Sequence, residues 1–246
     1  MPQDPAAALS ALLRASSIQD HEEILKAANA AIKADRTDVT SQHTRVVALL
    51  RLDRFDDVVR SVDEGGTKLQ GACGLEKTYA LYKLGRLDDA LAALKQTGLE
   101  RRSLNHLAAQ VAYRAERFDE ARAIYQRLLD SDPNGEENDM SINIKAADAQ
   151  AAWQGFVTPV VPSAEHPESF ELCYNEACSY IAQSAFSRAA ELLQRAARLC
   201  DASDDLSEED KQAEMQPILA QQAYVYSRLG KAKEALDLLN SIGTEE

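Results

Sequence analysis

The chain has 246 residues, of which 45% are hydrophobic, and its formal net charge is −13. The hydrophobic fraction is too high for a disordered chain, and helix-forming residues dominate, with only 10 Gly and 7 Pro between them. The negative charge opposes binding to nucleic acid phosphates or anionic lipid, so a basic or apolar protein segment is the better-matched partner.

The N-terminal residues MPQDPAAAL lack the basic and apolar regions of a secretory signal, and no apolar run approaches the length of a membrane span. We therefore expect no membrane segment. The four cysteines, Cys73, Cys173, Cys178 and Cys200, form no CxxC pair. We interpret them as buried thiols in a reducing compartment, and we expect neither a metal site nor a cofactor.

A short motif recurs along the chain, in which an aromatic residue or Leu is followed three residues later by a small residue. The clear copies are Phe55/Val58, Leu87/Ala90, Phe118/Ala121 and Phe186/Ala189, and weaker copies begin at His21 and Ala232. From His21 to Phe118 successive copies lie 31 to 34 residues apart, Phe118 to Phe186 is twice 34, and the last interval, from Phe186 to Ala232, is irregular at 46 residues. A period near 34 is that of the tetratricopeptide repeat (TPR), a helix–turn–helix unit. The sequence therefore predicts an all-α, right-handed superhelical solenoid of such pairs.

Apolar residues at helical spacing predict the two helices of each pair. The predicted first helices span about 5–16, 38–52, 72–84, 100–115, 169–183 and 212–229. The predicted second helices span about 20–34, 55–63, 87–96, 118–131, 186–201 and 232–242. Gly85 and Gly230 suit the left-handed residue that ends a first helix, and Pro133 stands where a second helix of this repeat stops.

Two regions break the period, although we predict that residues 1–246 form a single solenoid. Residues 134–168 are predicted to be a degenerate unit, with one helix at 141–153 followed by an extended, proline-containing strap. The segment DASDDLSEED at 201–210 is predicted to be an exposed acidic loop.

No arrangement of residues indicates an enzyme. The histidines His21, His43, His106 and His166 are scattered, and phosphate-binding, zinc-protease and serine-nucleophile motifs are absent from the sequence. We therefore predict a non-enzymatic chain without catalytic residues or a small-molecule substrate.

A solenoid of helix pairs offers a groove that is lined mainly by the first helices. Counting back from each turn selects the groove-facing residues Tyr79, Tyr82, Lys83, His106, Gln110, Tyr113, Arg114, Tyr174, Asn175, Cys178, Gln221, Tyr224 and Arg228. Two alternatives stay open: each tyrosine ring fills space between helices instead, or Lys83 and Arg114 cap helix C-termini.

Two other binding modes are considered. A chaperone co-factor would grip acidic C-terminal tails with a clamp of Lys, Arg and Asn residues, but only Asn175 stands at such a position. An assembly protein would instead self-associate through its ends, as a dimer without any peptide.

Particular phrases go beyond a generic repeat. The segments LEKTYALYKLGRLDDALAALK at 75–95, YRAERFDEARAIYQRLL at 113–129 and FELCYNEACSYIAQSAFSRAAELLQRAARLC at 170–200 resemble, in order and spacing, the N-terminal region of the 72-kilodalton subunit family of the eukaryotic signal recognition particle. The YNEAC phrase and the following RAAELLQRAARLC are the most distinctive.

That resemblance implies a TPR domain that holds a C-terminal segment of the 68-kilodalton subunit of the same particle. It also implies a cytoplasmic ribonucleoprotein, associated with ribosomes and the endoplasmic reticulum surface, that supports co-translational protein targeting. In the family, a Lys-rich region further along contacts RNA, so direct RNA binding is not expected of residues 1–246.

Overall fold

The computed structural model of the chain describes residues 20–97, 101–131, 135–156 and 167–242. Those ranges contain thirteen helices and no strand, which confirms the predicted all-α class of helical repeats. The helices are α1 (His21–Ala34), α2 (Val39–Arg51), α3 (Phe55–Glu64), α4 (Gly66–Ala72), α5 (Gly74–Lys83), α6 (Leu87–Thr97), α7 (Arg102–Arg114), α8 (Phe118–Ser131), α9 (Glu137–Trp153), α10 (Phe170–Ala182), α11 (Phe186–Asp201), α12 (Glu208–Arg228) and α13 (Ala232–Ile242).

Most predicted helices lie within a few residues of the observed ones, and the differences occur in the irregular regions. The predicted helix at 5–16, Pro133 and most of the predicted strap lie outside the described residues. Helix α9 begins four residues before the predicted start at 141, and the short helix α4 was not predicted. Helix α4 contains two glycines, Gly66 and Gly71, so its sequence carries little helix propensity.

The prediction of an acidic loop over residues 201–210 is wrong at both ends. Helix α11 continues to Asp201, and helix α12 begins at Glu208. The Ser207 hydroxyl accepts a hydrogen bond from the backbone N–H of Asp210 at 3.1 Å. Three acidic residues, Glu208 to Asp210, then occupy the first turn of α12, where the helix dipole favours negative charge. The same carboxylates that suggested a loop therefore start a helix.

Each described pair turns at a residue with positive φ that stands two residues before the second helix. These residues are Asp53, Gly85, Glu116, Ser184 and Gly230, with φ between 54° and 76°. The residue that follows donates its N–H to a carbonyl in the last turn of the first helix; Arg86 bonds to Leu81 and Ala185 to Tyr180, both at 2.9 Å. This is a Schellman stop. The predicted roles of Gly85 and Gly230 are confirmed.

The small residue of the repeated motif lies where the two helices of a pair meet. Ala90 and Ala189 are 0% exposed, and Ala235 is 5% exposed. A larger side chain at these positions would separate the helices, because protein interiors are close-packed. The recurrence of the motif is therefore a packing requirement of each pair.

The chain divides between Glu116 and Arg117 into two compact units. Unit 1 contains α1 to α7, and unit 2 contains α8 to α13. The core of unit 2 includes Cys173, Leu193, Ile218 and Val225. That all repeats continue as one right-handed superhelix stays a prediction. Among the described helices, none combines the length and apolarity that crossing a bilayer requires.

Candidate protein-binding surfaces

Three side chains from two helix pairs meet in unit 1, and we call them the unit 1 trio. Phe55 is the first residue of α3, and Tyr79 and Lys83 lie one turn apart on α5. The Phe55 and Tyr79 rings meet edge to face, with centroids 6.3 Å apart and planes at 70°. The Lys83 ammonium lies 5.8 Å from the centre of the Phe55 ring. Tyr79 remains 37% exposed, so the trio presents aromatic and cationic atoms to solvent.

The unit 1 surface extends beyond the trio to the next first helix. The Tyr82 ring lies 6.5 Å from the Tyr79 ring, and the Arg114 guanidinium of α7 lies over Tyr82 at 5.2 Å. The Arg114 Nη1 also donates a hydrogen bond of 2.9 Å to the backbone carbonyl of Tyr82. Arg114 therefore caps a carbonyl in the last turn of α5, the first helix of the preceding pair.

Unit 2 contains a second trio of the same design, Phe186, Tyr224 and Arg228, which we call the unit 2 trio. Phe186 begins α11, and Tyr224 and Arg228 lie one turn apart on α12. Their ring centroids are again 6.3 Å apart, with planes at 76°. The Arg228 guanidinium lies 4.8 Å from the Phe186 ring and 6.0 Å from the Tyr224 ring. Tyr224 is 39% exposed.

Both trios have the chemistry of a protein-recognition surface. Exposed tyrosines offer a large contact area with few rotatable bonds, and arginine and tyrosine are enriched among residues that carry binding energy. The ring and cation contacts also hold each side chain in place before a partner arrives, at about 0.5–1 kcal/mol per contact at exposed sites. The surfaces are thus partly pre-organised.

The other predicted groove residues take varied positions. Gln110 is exposed, while His106 and Tyr113 on α7 and Gln221 on α12 are half-buried. Tyr174 packs against the core of unit 2. The Asn175 side-chain amide donates a 3.2 Å hydrogen bond to the carbonyl of Ile142, which joins α10 to α9.

Cys178 needs a correction, because it was predicted to face a groove. Its side chain is only 9% exposed, so it lies in the core rather than on an open surface. Burial raises the pKa of Cys178 to about 11 and that of Cys73 to about 12, where the Glu76 carboxylate contributes as well. Burial also raises the pKa values of Cys173 and Cys200. All four cysteines are therefore neutral thiols at pH 7, as expected of buried thiols, and poor nucleophiles.

Sequence reasoning did not find the roles of Phe55 and Phe186 at these surfaces. The sequence marks both only as the first residue of the recurring motif, whereas in the structure each ring meets the first helix of the next pair. One signal was available in the sequence. Phe55 and Phe186 each stand at the first position of a second helix, and the first helix that follows carries a tyrosine and, four residues later, a Lys or Arg. The partner helix could not be identified from that signal alone.

Two polar contacts between first helices were also not predicted. In unit 1, the His43 Nε2 lies 3.3 Å from a Glu76 carboxylate oxygen, and the Cys73 thiol lies beside them. In unit 2, the Lys145 ammonium lies 3.9 Å from the Glu176 carboxylate, whose side chain is 2% exposed. A pairing between helices about thirty residues apart is a tertiary property, which local patterns do not encode.

A shallow depression of about 210 Å³ lies between α1 and α2 in unit 1. It is lined by His21, Ile24, His43, Thr44, Val47, Ala48 and Arg51. Its lining is mostly apolar, and His43 belongs both to this depression and to the contact with Glu76.

Comparison with known proteins places these features in a family. The TPR-like repeat family model of the signal recognition particle (SRP_TPR_like) matches residues 17–150. The chain is 33% identical over 229 residues to signal recognition particle subunit SRP72 of Canis lupus familiaris and of Homo sapiens, covering 91% of this chain and 34% of each relative. It is 28% identical over 237 residues to SRP72 of Caenorhabditis elegans, covering 95% of this chain and 37% of the relative. The chain thus spans about a third of the length of these relatives. Because the family model matches more than half of its residues, the chain belongs to the TPR-like repeat family of the signal recognition particle.

Proposed function

We propose that this chain is a non-enzymatic scaffold of the signal recognition particle, which binds a C-terminal segment of the 68-kilodalton subunit through its first helices. It would act in a cytoplasmic ribonucleoprotein particle at ribosomes and the endoplasmic reticulum surface. The matched relatives are subunits of that particle, which supports this assignment. The observation that carries the binding proposal is the pair of exposed trios, built alike in both units.

The charge of the chain supports a partner with basic side chains. The net charge of −13 attracts cations over a Debye length of about 8 Å at physiological ionic strength. The trios add local aromatic rings and cations to this acidic background. A segment that combines apolar or aromatic anchors with flanking Lys and Arg residues fits both properties, and its binding would weaken with added salt.

Calorimetry with a peptide that covers the C-terminal segment of the 68-kilodalton subunit tests the proposal. We expect binding at about micromolar concentration, and we expect Tyr79→Ala or Tyr224→Ala to weaken it by about 1–3 kcal/mol, because a central anchor is lost. Leu239→Ala is the matched control, since Leu239 is 51% exposed on the second helix α13. No heat with the wild-type chain, or equal losses in the control, would overturn the proposal.

The alternative of a clamp for acidic C-terminal tails has less support. Asn175, the one residue at a clamp position, already donates its amide to the Ile142 carbonyl. Peptides with free and amidated C-termini distinguish the two modes. A clamp requires the free carboxylate, whereas binding through the trios is insensitive to it.

Self-association through the ends of the chain can be distinguished from both peptide-binding modes, because it requires a dimer in the absence of peptide. Light scattering at several concentrations without peptide reports the mass directly. A monomer throughout agrees with the scaffold proposal, and a concentration-dependent dimer favours assembly through the ends.

A further inference from the structure

Three side chains with different metal-binding atoms converge in unit 1. The His43 imidazole, the Cys73 thiol and the Glu76 carboxylate place one ligand atom each within 4.8 Å of one another. His43 lies in the first half of α2, Cys73 stands at the N-cap position of α5, and Glu76 lies in the first turn of α5. We propose that these three residues form a Zn²⁺ site.

The backbone holds the three ligands in place. Cys73 and Glu76 stand three residues apart, a spacing that puts both side chains on one face of the start of α5. Cys73 is 0% exposed, so its thiol is fixed by packing. His43 enters from a separate helix that packs on the same region. Rigid elements of this kind pre-organise a ligand set better than loops do.

The distances suit zinc. Zn–N and Zn–O bonds are about 2.0–2.1 Å long, and in a tetrahedral site they put nitrogen and oxygen about 3.3 Å apart. The His43 Nε2 and the Glu76 Oε1 are 3.3 Å apart. The Cys73 Sγ lies within 4.8 Å of both atoms, and a Zn–S bond of about 2.3 Å would require it to move closer to them.

An unsatisfied oxygen gives a second, independent indication. The Glu76 Oε2, the other oxygen of the same carboxylate, is buried and has no hydrogen-bond partner among the residues that the structure describes. A buried carboxylate oxygen without a partner is costly, and a cation that binds both oxygens of Glu76 would satisfy it. The side chains of His43 and Glu76 are 44% and 20% exposed, so an ion can reach the cluster from solvent beside the depression between α1 and α2.

The donor set selects the metal. Ca²⁺ and Mg²⁺ prefer oxygen ligands only, whereas a mixture of imidazole nitrogen, thiolate sulfur and carboxylate oxygen is typical of Zn²⁺. Cys73 is a neutral thiol without metal, so Zn²⁺ binding would release its proton to solvent. Three protein ligands leave the fourth tetrahedral position to water. The bound ion would connect α2 with the start of α5, and so join two consecutive helix pairs.

Cobalt titration of the full, reduced, metal-free chain tests the site, because Co²⁺ occupies zinc sites and absorbs visibly. We expect one equivalent of Co²⁺ to bind with a thiolate-to-cobalt charge-transfer band, and Zn²⁺ to displace it. Cys73→Ser should abolish the band, and His43→Gln and Glu76→Gln should each weaken binding at least about tenfold. Zn²⁺ should also raise the Tm of the wild-type chain by several degrees but not that of Cys73→Ser.

Two matched controls make the result specific. His106 stands at the same position relative to the turn residue Glu116 as His43 does relative to Asp53. His106→Gln should leave cobalt binding unchanged, and so should Cys178→Ser, which removes a buried thiol of unit 2. Absence of a thiolate band in the wild-type chain, or its persistence in Cys73→Ser, would overturn the site. His43 is partly exposed, so His43→Gln should fold, and unchanged affinity in that variant would also overturn it.

Discussion

The unit 1 trio and the unit 2 trio reach the same geometry with different cations. Both pairs of rings have centroids 6.3 Å apart and meet edge to face. The Lys83 ammonium approaches one ring only, whereas the planar Arg228 guanidinium lies over both rings and reaches the Tyr224 hydroxyl at 3.4 Å. The backbone positions thus fix where the trio forms, and the choice of cation tunes how firmly it is held.

The two surfaces also differ in extent. In unit 1 the row continues through Tyr82 to Arg114, but Ser227 stands in unit 2 where Tyr82 stands in unit 1. Unit 1 therefore offers a longer aromatic surface. The comparison indicates that a partner would gain more contact area in unit 1 and a more rigid anchor in unit 2.

The two units differ most in how deeply the polar contacts between their first helices are buried. The Lys145–Glu176 pair of unit 2 is largely buried, whereas the His43–Glu76 contact of unit 1 is partly exposed. We expect Lys145→Met to destabilise the chain by about 3 kcal/mol, because it removes the cation beside a buried carboxylate. In metal-free protein, His43→Gln should cost less than about 1 kcal/mol.

Urea unfolding of both variants measures this contrast. A cost below about 1 kcal/mol for Lys145→Met would mean that other partners of Glu176 suffice. In that case the two contacts would be energetically alike.

The buried cysteines of both units predict a loss of stability at alkaline pH. Unit 2 holds three of the four buried thiols, and burial raises the pKa of Cys178 from 9.0 to about 11. A thiol whose pKa is raised on folding contributes stability that is complete below about pH 9 and is lost as pH rises toward 11. We expect the free energy of unfolding to be flat from pH 7 to 8.5 and to fall above pH 9, with Cys178 contributing a loss of about 2 kcal/mol by pH 11 and Cys73 a comparable loss.

In the variant Cys178→Ala, the free energy of unfolding should fall less steeply above pH 9, and it should remain constant between pH 7 and 8.5. Urea titrations at several pH values provide the measurement. If the variant and the wild-type chain fall in parallel, Cys178 is not the group responsible.

The positive-φ turn residue is a glycine, Gly85, in one pair of unit 1 and a serine, Ser184, in one pair of unit 2, so the two positions can be tested by the reverse substitutions. Gly85 has φ of 73° and open space where a Cβ would lie, so Gly85→Ala should cost about 1 kcal/mol from backbone conformation alone. Ser184 has φ of 59° without being glycine, so Ser184→Gly should stabilise unit 2 by up to about 1 kcal/mol. Thermal unfolding should show a lower Tm for Gly85→Ala and a higher Tm for Ser184→Gly than for the wild-type chain. Tm shifts of the same sign would contradict the shared turn geometry.

Exchanging the cations should give the smallest effect. Arg228→Lys should remove the contact of the cation with the second ring, and Lys83→Arg should add such a contact in unit 1. We therefore expect the free energy of unfolding to fall by about 0.5 kcal/mol in the first variant and to rise by about 0.5 kcal/mol in the second. A double-mutant cycle with Tyr224→Phe and Arg228→Lys measures the coupling. No coupling would mean that the guanidinium gains nothing from the hydroxyl.

The sequence was sufficient for features that recur. The period, the small residue at Ala90 and Ala189, and the turn at Gly85 each depend on local patterns, and the structure confirms them. The residues at 201–210 were misread, because carboxylates suit both an exposed loop and the first turn of a helix, and only the Ser207 cap decides between them.

The sites were less predictable, because they arise where repeats differ. Tyr79 and Tyr224 were selected by counting along first helices, but the phenylalanine rings that they meet come from other pairs. Asn175 and Cys178 were selected by the same count, yet one bonds a carbonyl and the other is buried. Whether the selected residues bind a partner stays a prediction.

The left-handed turn residues have a practical consequence for spectroscopy. Asp53, Glu116 and Ser184 are exposed, stand just after a first helix and contribute no side chain to the core. Cysteines introduced there should react readily with maleimide dyes, while the four native thiols stay protected by burial and by their raised pKa values. The chain thus offers three attachment points, at the turns of three different helix pairs, from which resonance energy transfer can follow how the repeats respond to a bound segment.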